Sequence, residues 1–324
     1  MHVLLTGATG FIGGHLCRRL VAAGHTVLAL VRDPKKASGL PSTGVEKLEG
    51  DLTIFDRPDL ELPPCDFVMH IAAVVTAKTP DQYEAINFRA VRSLVDCIAR
   101  QKWKPRRMLF ASSLAAAGPS LQGERKVESD LCDPIDDYGR AKLAAEIFLR
   151  DAPFPTTSFR PSVVFGPKDP AAITLFRMAV KGWGFRVGGP RQIFSFIDVD
   201  DLVDGIIRMA DDTSSEHRTY FVSSDQDTDS GKLWDAFSSV LDRRIRVLVV
   251  PRPALYGASV ASTALSKVFR FKNQLDRKQY DQLTAPAFVC SSRALQDAHA
   301  WRPRLELHES LRKALQGYRA DGWL

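Results

Sequence analysis

Tyr138 and Lys142 stand four residues apart in the run Tyr138-Gly-Arg-Ala-Lys142. If the segment from about Asp137 to Leu149 is a helix, that spacing puts both side chains on one face, one turn apart. A phenol beside an ammonium is a candidate general acid/base. The cation favours phenolate and lowers the tyrosine pKa. Bringing a free phenol from ~10 to near neutrality takes ~4 kcal/mol of differential stabilisation. One close cation in a partly desolvated site could supply much of that. The same spacing also fits an ordinary amphipathic helix, with Tyr138 on its buried edge and Lys142 snorkelling toward water. What precedes the pair in the chain decides between the two.

His2-Val-Leu-Leu-Thr6 is a short apolar run and reads as a buried strand. Gly7-Ala-Thr-Gly10-Phe-Ile-Gly13 follows at once, then helical periodicity from Gly14 to Ala23, ended by Gly24. Strand, glycine turn and helix in that order are the context a dinucleotide fingerprint needs. Glycines permit the tight turn and let backbone N–H groups approach a pyrophosphate at the helix N-terminus. The spacing is GxxGxxG, one residue longer than GxGxxG in its first gap. Thr26 to Val31 is the second strand. Arg32 stands at its end, with Asp33 after it and Lys35-Lys36 close by. A cation there suits the 2′-phosphate of NADP. The alternative is a solvated Arg32, with Asp33 binding the ribose of NAD.

The rhythm continues. Val45 to Glu49 is a third strand leading to Asp51-Leu52, where the acid could reach an adenine amino group or cap a turn. Phe67 to Ile71 is a fourth strand holding His70, read as a packed strand residue. It ends in Ala72-Ala73, small enough for a cofactor to lie close. Residues 81 to 100 make a helix carrying Asn87. Met108 to Ala111 is a fifth strand and delivers Ser112-Ser113 to its carboxyl end, where open α/β sheets bind ligands. The helix of Tyr138 and Lys142 comes next, then a sixth strand from Thr156 to Arg160. This alternation predicts an α/β fold with a doubly wound parallel sheet. Residues 1–165 are expected to form the dinucleotide-binding domain. Residues 166–324, turn-rich and then mostly helical, are expected to form a smaller substrate lobe, with about 193–223 partly returning to the sheet.

At 324 residues the chain could hold one large domain or two, and its 45% apolar content is ordinary for a globular protein. A net charge of +6 suits anionic small ligands or a membrane surface and is too diffuse to argue nucleic acid. Cys17, Cys65, Cys97, Cys132 and Cys290 are scattered with no CxxC pair. They read as reduced thiols of a cytoplasmic protein, with neither a metal site nor a disulfide framework. No signal peptide is expected, because residues 2 to 6 already read as the first strand. The segment Ala254 to Phe271 is rich in small and apolar residues, with Lys267, Arg270 and Lys272 at its end. It could line a greasy pocket, lie on the inner face of a membrane, or be an ordinary lobe helix.

Thr6-Gly-Ala-Thr-Gly-Phe-Ile-Gly13, Tyr138-Gly-Arg-Ala-Lys142, Arg160-Pro-Ser-Val-Val-Phe-Gly-Pro167 and Phe196-Ile-Asp-Val-Asp-Asp201 together resemble an extended short-chain dehydrogenase/reductase. The resemblance runs nearly the full length. It implies a Rossmann sheet, a nicotinamide cofactor and a serine-tyrosine-lysine triad. The family serine lies five residues before a glycine, which maps onto Ser113 and Gly118. Tyr138 would exchange the proton of the substrate hydroxyl. Lys142 would hold the nicotinamide ribose and lower the tyrosine pKa. Ser113 would hydrogen-bond the substrate oxygen, and Asn87 would support the site from behind. Gly7, Gly10, Phe11, Ile12, Gly13, Arg32, Asp51, Leu52, Ala72, Ala73, Pro161 and Val163 would contact the cofactor, along with Tyr138 and Lys142. Ala117 stands where many members carry Tyr. Members are often dimers through the helices bearing Tyr138 and Asn87.

Sugar-nucleotide members often carry Gln-x-Arg-Asp-Phe before the Val-Asp-Asp segment, whose Arg clamps a diphosphate. Here the run is Gln192-Ile-Phe-Ser-Phe196, with Phe194 in the Arg position. A phenyl ring cannot form the bidentate pair a phosphate wants. This points to a neutral, apolar substrate, with Phe165, Phe185, Phe194 and Phe196 as candidate pocket walls. Val31-Arg-Asp-Pro34 also resembles the dihydroflavonol reductase and 3β-hydroxysteroid dehydrogenase branches. The expected activity is interconversion of a secondary alcohol and a ketone on a sterol-like ring, with decarboxylation following if a carboxylate sits β to the ketone. The alternatives are a nucleotide-sugar epimerase, a dihydroflavonol-type reductase, and a non-catalytic dinucleotide sensor. Sensors of this family usually lack Tyr or Lys, and both are present.

Overall fold

The computed structural model describes residues 1–121, 123–269 and 277–324; the side chains of residues 264–269 and 277–279 fall outside that description. The strands in chain order are β1 (His2–Thr6), β2 (Thr26–Val31), β3 (Val45–Glu49), β4 (Phe67–His70), β5 (Arg107–Ala111), β6 (Thr156–Pro161), β7 (Val163–Phe165), β8 (Trp183–Val187), β9 (Ile193–Asp198), β10 (Arg218–Val222), β11 (Asp227–Asp229), β12 (Arg246–Val250) and β13 (Ala287–Phe288). The helices are α1 (Phe11–Ala22), α2 (Pro80–Glu84), α3 (Ala90–Arg100), α4 (Leu114–Ala117), α5 (Asp137–Leu149), α6 (Ile173–Val180), α7 (Val199–Ala210), α8 (Ser230–Leu241), α9 (Arg252–Phe269), α10 (Arg277–Thr284), α11 (Arg293–His299) and α12 (Leu307–Ala320).

Seven strands form one parallel sheet in the order β10-β6-β5-β4-β1-β2-β3. Successive residues of β1 face opposite layers: Val3 and Leu5 enter one core with α1 and α7, and Leu4 enters the other with α3 and α5. Both faces are therefore covered, and the strands read as apolar runs rather than as alternating patterns. The strand order reverses between β1 and β4, so a crevice opens outside their carboxyl ends. Residues 218–222 return from the C-terminal half as the seventh strand, β10.

The rest of that half forms a lobe of helices with two small sheets. One is built on β9, flanked by β7, β11 and β13; the other is the β8–β12 ribbon. The lobe has its own core, where Phe176, Phe237, Trp234 and Tyr318 pack around α6, α8 and α12. The basic end expected for α9 falls on the Lys267 side chain and on Arg270 and Lys272, all outside the description.

Candidate active site

The glycine turn is built by close packing. Gly7 has φ 78°, and a Cβ there would lie 2.7 Å from the Ala72 backbone nitrogen. A Cβ on Gly13 would lie 2.1 Å from the Gly7 carbonyl oxygen. Gly7 thus lets the exit of β4 close on the turn, and Gly13 lets α1 press against it. Gly10 caps α1 with no side-chain hydrogen bond, and the first turn of α1 carries no acid. Its N-terminus is left to bind an anion with backbone N–H groups. Phe11 and Ile12 are half-buried on that turn, and a Cβ on Gly166 would approach the Phe11 ring to 3.4 Å. The segment after β7 therefore borders the same crevice. Pro161 is buried at the end of β6, while Val163 is 44% exposed. These residues fit a dinucleotide: a small-residue cradle, a helix N-terminus with no side-chain cap, and a crevice at the point where the strand order reverses.

At the adenosine end, the Asp33 carboxylate accepts the Lys35 N–H at 3.0 Å, and the Asp51 carboxylate accepts the Thr53 N–H at 2.9 Å and its hydroxyl at 2.6 Å. Asp51 therefore caps its own turn, and the Thr53 bonds hold its pKa below the usual carboxylate range. Leu52 is half-buried against the core. Arg32 is exposed and, among the described residues, carries no salt bridge.

Helix α5 begins at the cap Asp136, whose carboxylate accepts the Gly139 N–H at 2.6 Å. Tyr138 lies in its first turn and Lys142 one turn on. Gly139 sits between them, and a Cβ there would lie 2.2 Å from the Ala115 carbonyl oxygen. That missing methyl lets α5 rest on α4. The contact brings Ser113, the cap of α4, to the Tyr138 phenol, and the two hydroxyls are hydrogen-bonded. The Ser113 oxygen also accepts the Ala115 N–H at 3.1 Å, which leaves its O–H as a donor. Gly118, with φ 79°, closes this turn under the Asp133 carbonyl.

Lys142 is fully buried, and its Nζ donates to the Ala111 carbonyl at 2.6 Å. It sits 4.6 Å from the centroid of the Phe110 ring and 5.9 Å from that of Tyr138. Burial pulls the lysine pKa down to about 7, opposed by the Glu146 charge one turn further on. Burial likewise pushes the Tyr138 phenol up to about 12, with the Ser113 hydrogen bond pulling the other way. This corrects the expectation that the lysine cation lowers the tyrosine pKa. Burial is the largest influence on the phenol, and the ammonium donates to the end of β5 rather than to the phenol oxygen.

Asn87 is fully buried in a π-helical turn, residues Ala85–Arg89, between α2 and α3. Its amide accepts the Val74 N–H at 3.0 Å and donates to the Val74 carbonyl at 2.9 Å. It pins the loop of Ala72 and Ala73, and so acts behind the crevice. His70 is buried, shares a 2.9 Å hydrogen bond with the Thr6 hydroxyl, and burial lowers its pKa to about 3. It is a neutral strand residue.

Two features escape a reading by motifs. First, Glu146 is buried and takes the Arg160 Nε at 2.9 Å, the Arg160 Nη2 at 2.5 Å and the Ser112 hydroxyl. Its i+4 spacing from Lys142 was the available signal; its partner on β6 was not legible locally. Second, the expected aromatic wall is divided. Phe165 and Phe196 are 2% and 1% exposed and belong to the lobe core, with ring centroids 6.3 Å apart. Phe194 is half-buried against the same core, and Phe185 lines a cavity of about 130 Å³. Arg186 and Arg252 also line that cavity. The two arginines come from β8 and α9, sixty-six positions apart, which no local motif joins.

A dinucleotide cradle and a serine-tyrosine-lysine cluster at the carboxyl edge of one parallel sheet define an NAD(P)-dependent enzyme. The model of the NAD dependent epimerase/dehydratase family matches residues 3–222, and the chain belongs to that family. Among its relatives is a ceramide reductase from Caulobacter vibrioides, 24% identical, covering 99% of this chain and 96% of that protein. Sterol demethylase protein B from Methylococcus capsulatus is 26% identical, covering 87% of each. The crystal structure of the UDP-glucose 4-epimerase from Thermotoga maritima with UDP-glucose matches the fold at a TM-score of 0.78 and 19% identity, covering 99% of both chains. Other structures of this fold contain NAD or NADPH. No helix among the described residues is long and apolar enough to cross a membrane.

Proposed function

We propose that the protein interconverts a secondary alcohol and a ketone on a largely apolar ring substrate, as in the 3β-hydroxysteroid dehydrogenase-like branch. The observation that carries the reaction is the Ser113–Tyr138 hydrogen bond beside buried Lys142. When bound, the nicotinamide supplies or accepts the hydride. In the reductive direction Tyr138, protonated at neutral pH, gives its proton to the carbonyl oxygen, while the Ser113 hydroxyl donates to the same oxygen and orients it. Lys142, held at the end of β5, would bind the cofactor ribose. Asn87 keeps the Ala72-Ala73 loop in place. The apolar substrate is supported by Phe194 in the place of a diphosphate-clamping Arg, by the Phe185 and Trp234 walls of the lobe cavity, and by the names of the sterol and ceramide relatives.

NADP is the proposed cofactor. Arg32 is exposed and, among the described residues, without a salt bridge, while Asp33 and Asp51 are both engaged by their own turns. A second reading, a nucleotide-sugar epimerase, draws on Arg186 and Arg252 in the cavity, which could face a diphosphate. Nicotinamide absorbance decides between them. Net reduction of NADP⁺ with a 3β-hydroxysteroid is expected, faster than with NAD⁺. No reduction with steroids, but conversion of UDP-glucose, would establish the epimerase.

A further inference from the structure

The β8–β12 ribbon is a two-stranded sheet of its own. Its register sets Arg246 beside Trp183 and Leu248 beside Phe185, so Trp183, Arg246 and Leu248 share one face. The Arg246 guanidinium lies 5.7 Å from the centroid of the Trp183 ring. Val247, between Arg246 and Leu248, turns the other way and packs on the lobe core. Trp183 is 43% exposed and Leu248 56%, and Val249 beyond it is exposed too. Lys181, Arg243 and Arg244 are exposed at the base of the ribbon. Among the described residues, none of Lys181, Arg243, Arg244 and Arg246 has a carboxylate partner. Segments 181–191 and 241–252 hold seven cations and a single acid, Asp242, a surplus equal to the net charge of the whole chain. Positive charge that is diffuse along the sequence is thus concentrated where β8 meets β12, next to unburied apolar side chains.

We propose that the outer face of this ribbon docks on an anionic lipid bilayer. Leu248 and Trp183 enter the boundary between headgroups and acyl chains, where an indole with one polar end is at home. Arg244, Arg246 and their neighbours meet the lipid phosphates, whose negative surface attracts them within a Debye length. Arg246 and Leu248 are two residues apart on one strand, ~7 Å. That matches the ~5–10 Å to which an interfacial element sinks its apolar side. Docking of this kind is peripheral and needs no membrane-spanning helix. The charge argues against the other occupants. A second copy placed on the same face would bring like charges together. A nucleic acid would satisfy the arginines but leave Leu248 and Val249 against water. The inference goes beyond the proposed reaction and gives it a place. Phe185, the register partner of Leu248, lines the lobe cavity, so a docked ribbon sets that cavity beside the phase in which an apolar alcohol dissolves.

The test is co-sedimentation of the full chain with vesicles, which needs neither substrate nor cofactor. One set is phosphatidylcholine alone, the other phosphatidylcholine mixed with phosphatidylglycerol. The partition coefficient is expected to be at least ~10-fold higher for the mixed vesicles and to fall as salt is raised. Reversing two exposed charges, Arg244→Glu with Arg246→Glu, is expected to lower binding to the mixed vesicles at least ~10-fold. Leu248→Ser is expected to weaken it as well, without abolishing the salt dependence. Both variants change exposed side chains, and melting curves like that of wild type would show them folded. Should the arginine variant melt early, Leu248→Ser carries the test alone. Absence of vesicle binding would overturn the proposal, as would equal binding to the two vesicle sets. Binding that neither variant alters would show that another surface docks. Retention on duplex DNA without retention on vesicles would assign the face to nucleic acid and likewise refute it. Steroid turnover is read separately. Vesicle binding without turnover would leave the docking face standing and sink the sterol reading; turnover without vesicle binding would do the reverse.

Discussion

At the scale of single residues, the site is governed by desolvation. Tyr138 is predicted to be the proton carrier. Tyr138→Phe should lower turnover at least ~100-fold, the lower range for a lost general acid/base, while cofactor affinity measured by fluorescence titration is retained. Turnover close to wild type in that variant would refute the assignment. Lys142, proposed to bind the cofactor, is buried at a cost to stability. Its pKa in the folded protein, about 7, lies below its ordinary 10.5. Below the lower value both states carry the charge, and the folded state bears the full penalty of burying it. Between the two values the unfolded chain binds the extra proton, so stability rises with pH. Lys142→Met removes the penalty. Its melting temperature should exceed wild type by at least about 2 °C near pH 6, and the gap should narrow toward pH 9. Turnover should collapse in the same variant. Equal melting curves at both pH values would mean that Lys142 is neutralised in some other way. The paired residues Tyr138 and Lys142 were legible from spacing alone. The direction of the tyrosine shift was not, because burial is a property of the surroundings and not of the spacing.

At the scale of elements, the site depends on how closely α4 and α5 approach. Gly139 sets that distance, since a methyl group there would overlap the Ala115 carbonyl at 2.2 Å. Gly139→Ala should push α5 outward and part Ser113 from Tyr138. A displacement of ~1 Å in such a constellation costs on the order of 100-fold in rate. The prediction is a fall in kcat of that order with a smaller change in cofactor affinity, measured by steady-state kinetics. An unchanged kcat would show that the helix pair tolerates the shift. The positions of β1 to β6 and of α1, α3 and α5 follow from apolar runs and glycine punctuation, which act locally. The π turn at Asn87 and the Glu146–Arg160 pair do not, since each is completed by a partner from another element.

At the scale of the whole molecule, the sheet presents α5 and the Asn87 helix side by side on one face. Ile147 of α5 is 52% exposed there. A homodimer through this face is predicted, and Ile147→Asp should shift the sedimentation coefficient to that of a monomer. A wild-type protein that sediments as a monomer would end the prediction. By itself the sequence determined the parallel sheet and marked the glycine turn and the Tyr138–Lys142 pair as candidates for the site. Each of these rests on neighbours within a few turns of chain, where periodicity and spacing report geometry directly. Only the tertiary structure decided the rest. It placed Phe165 and Phe196 in the lobe core and left Phe185 to the cavity. It also brought Arg186 and Arg252 to one apolar wall. Those outcomes depend on which side chains lose water when distant segments meet, and chain spacing carries no record of that.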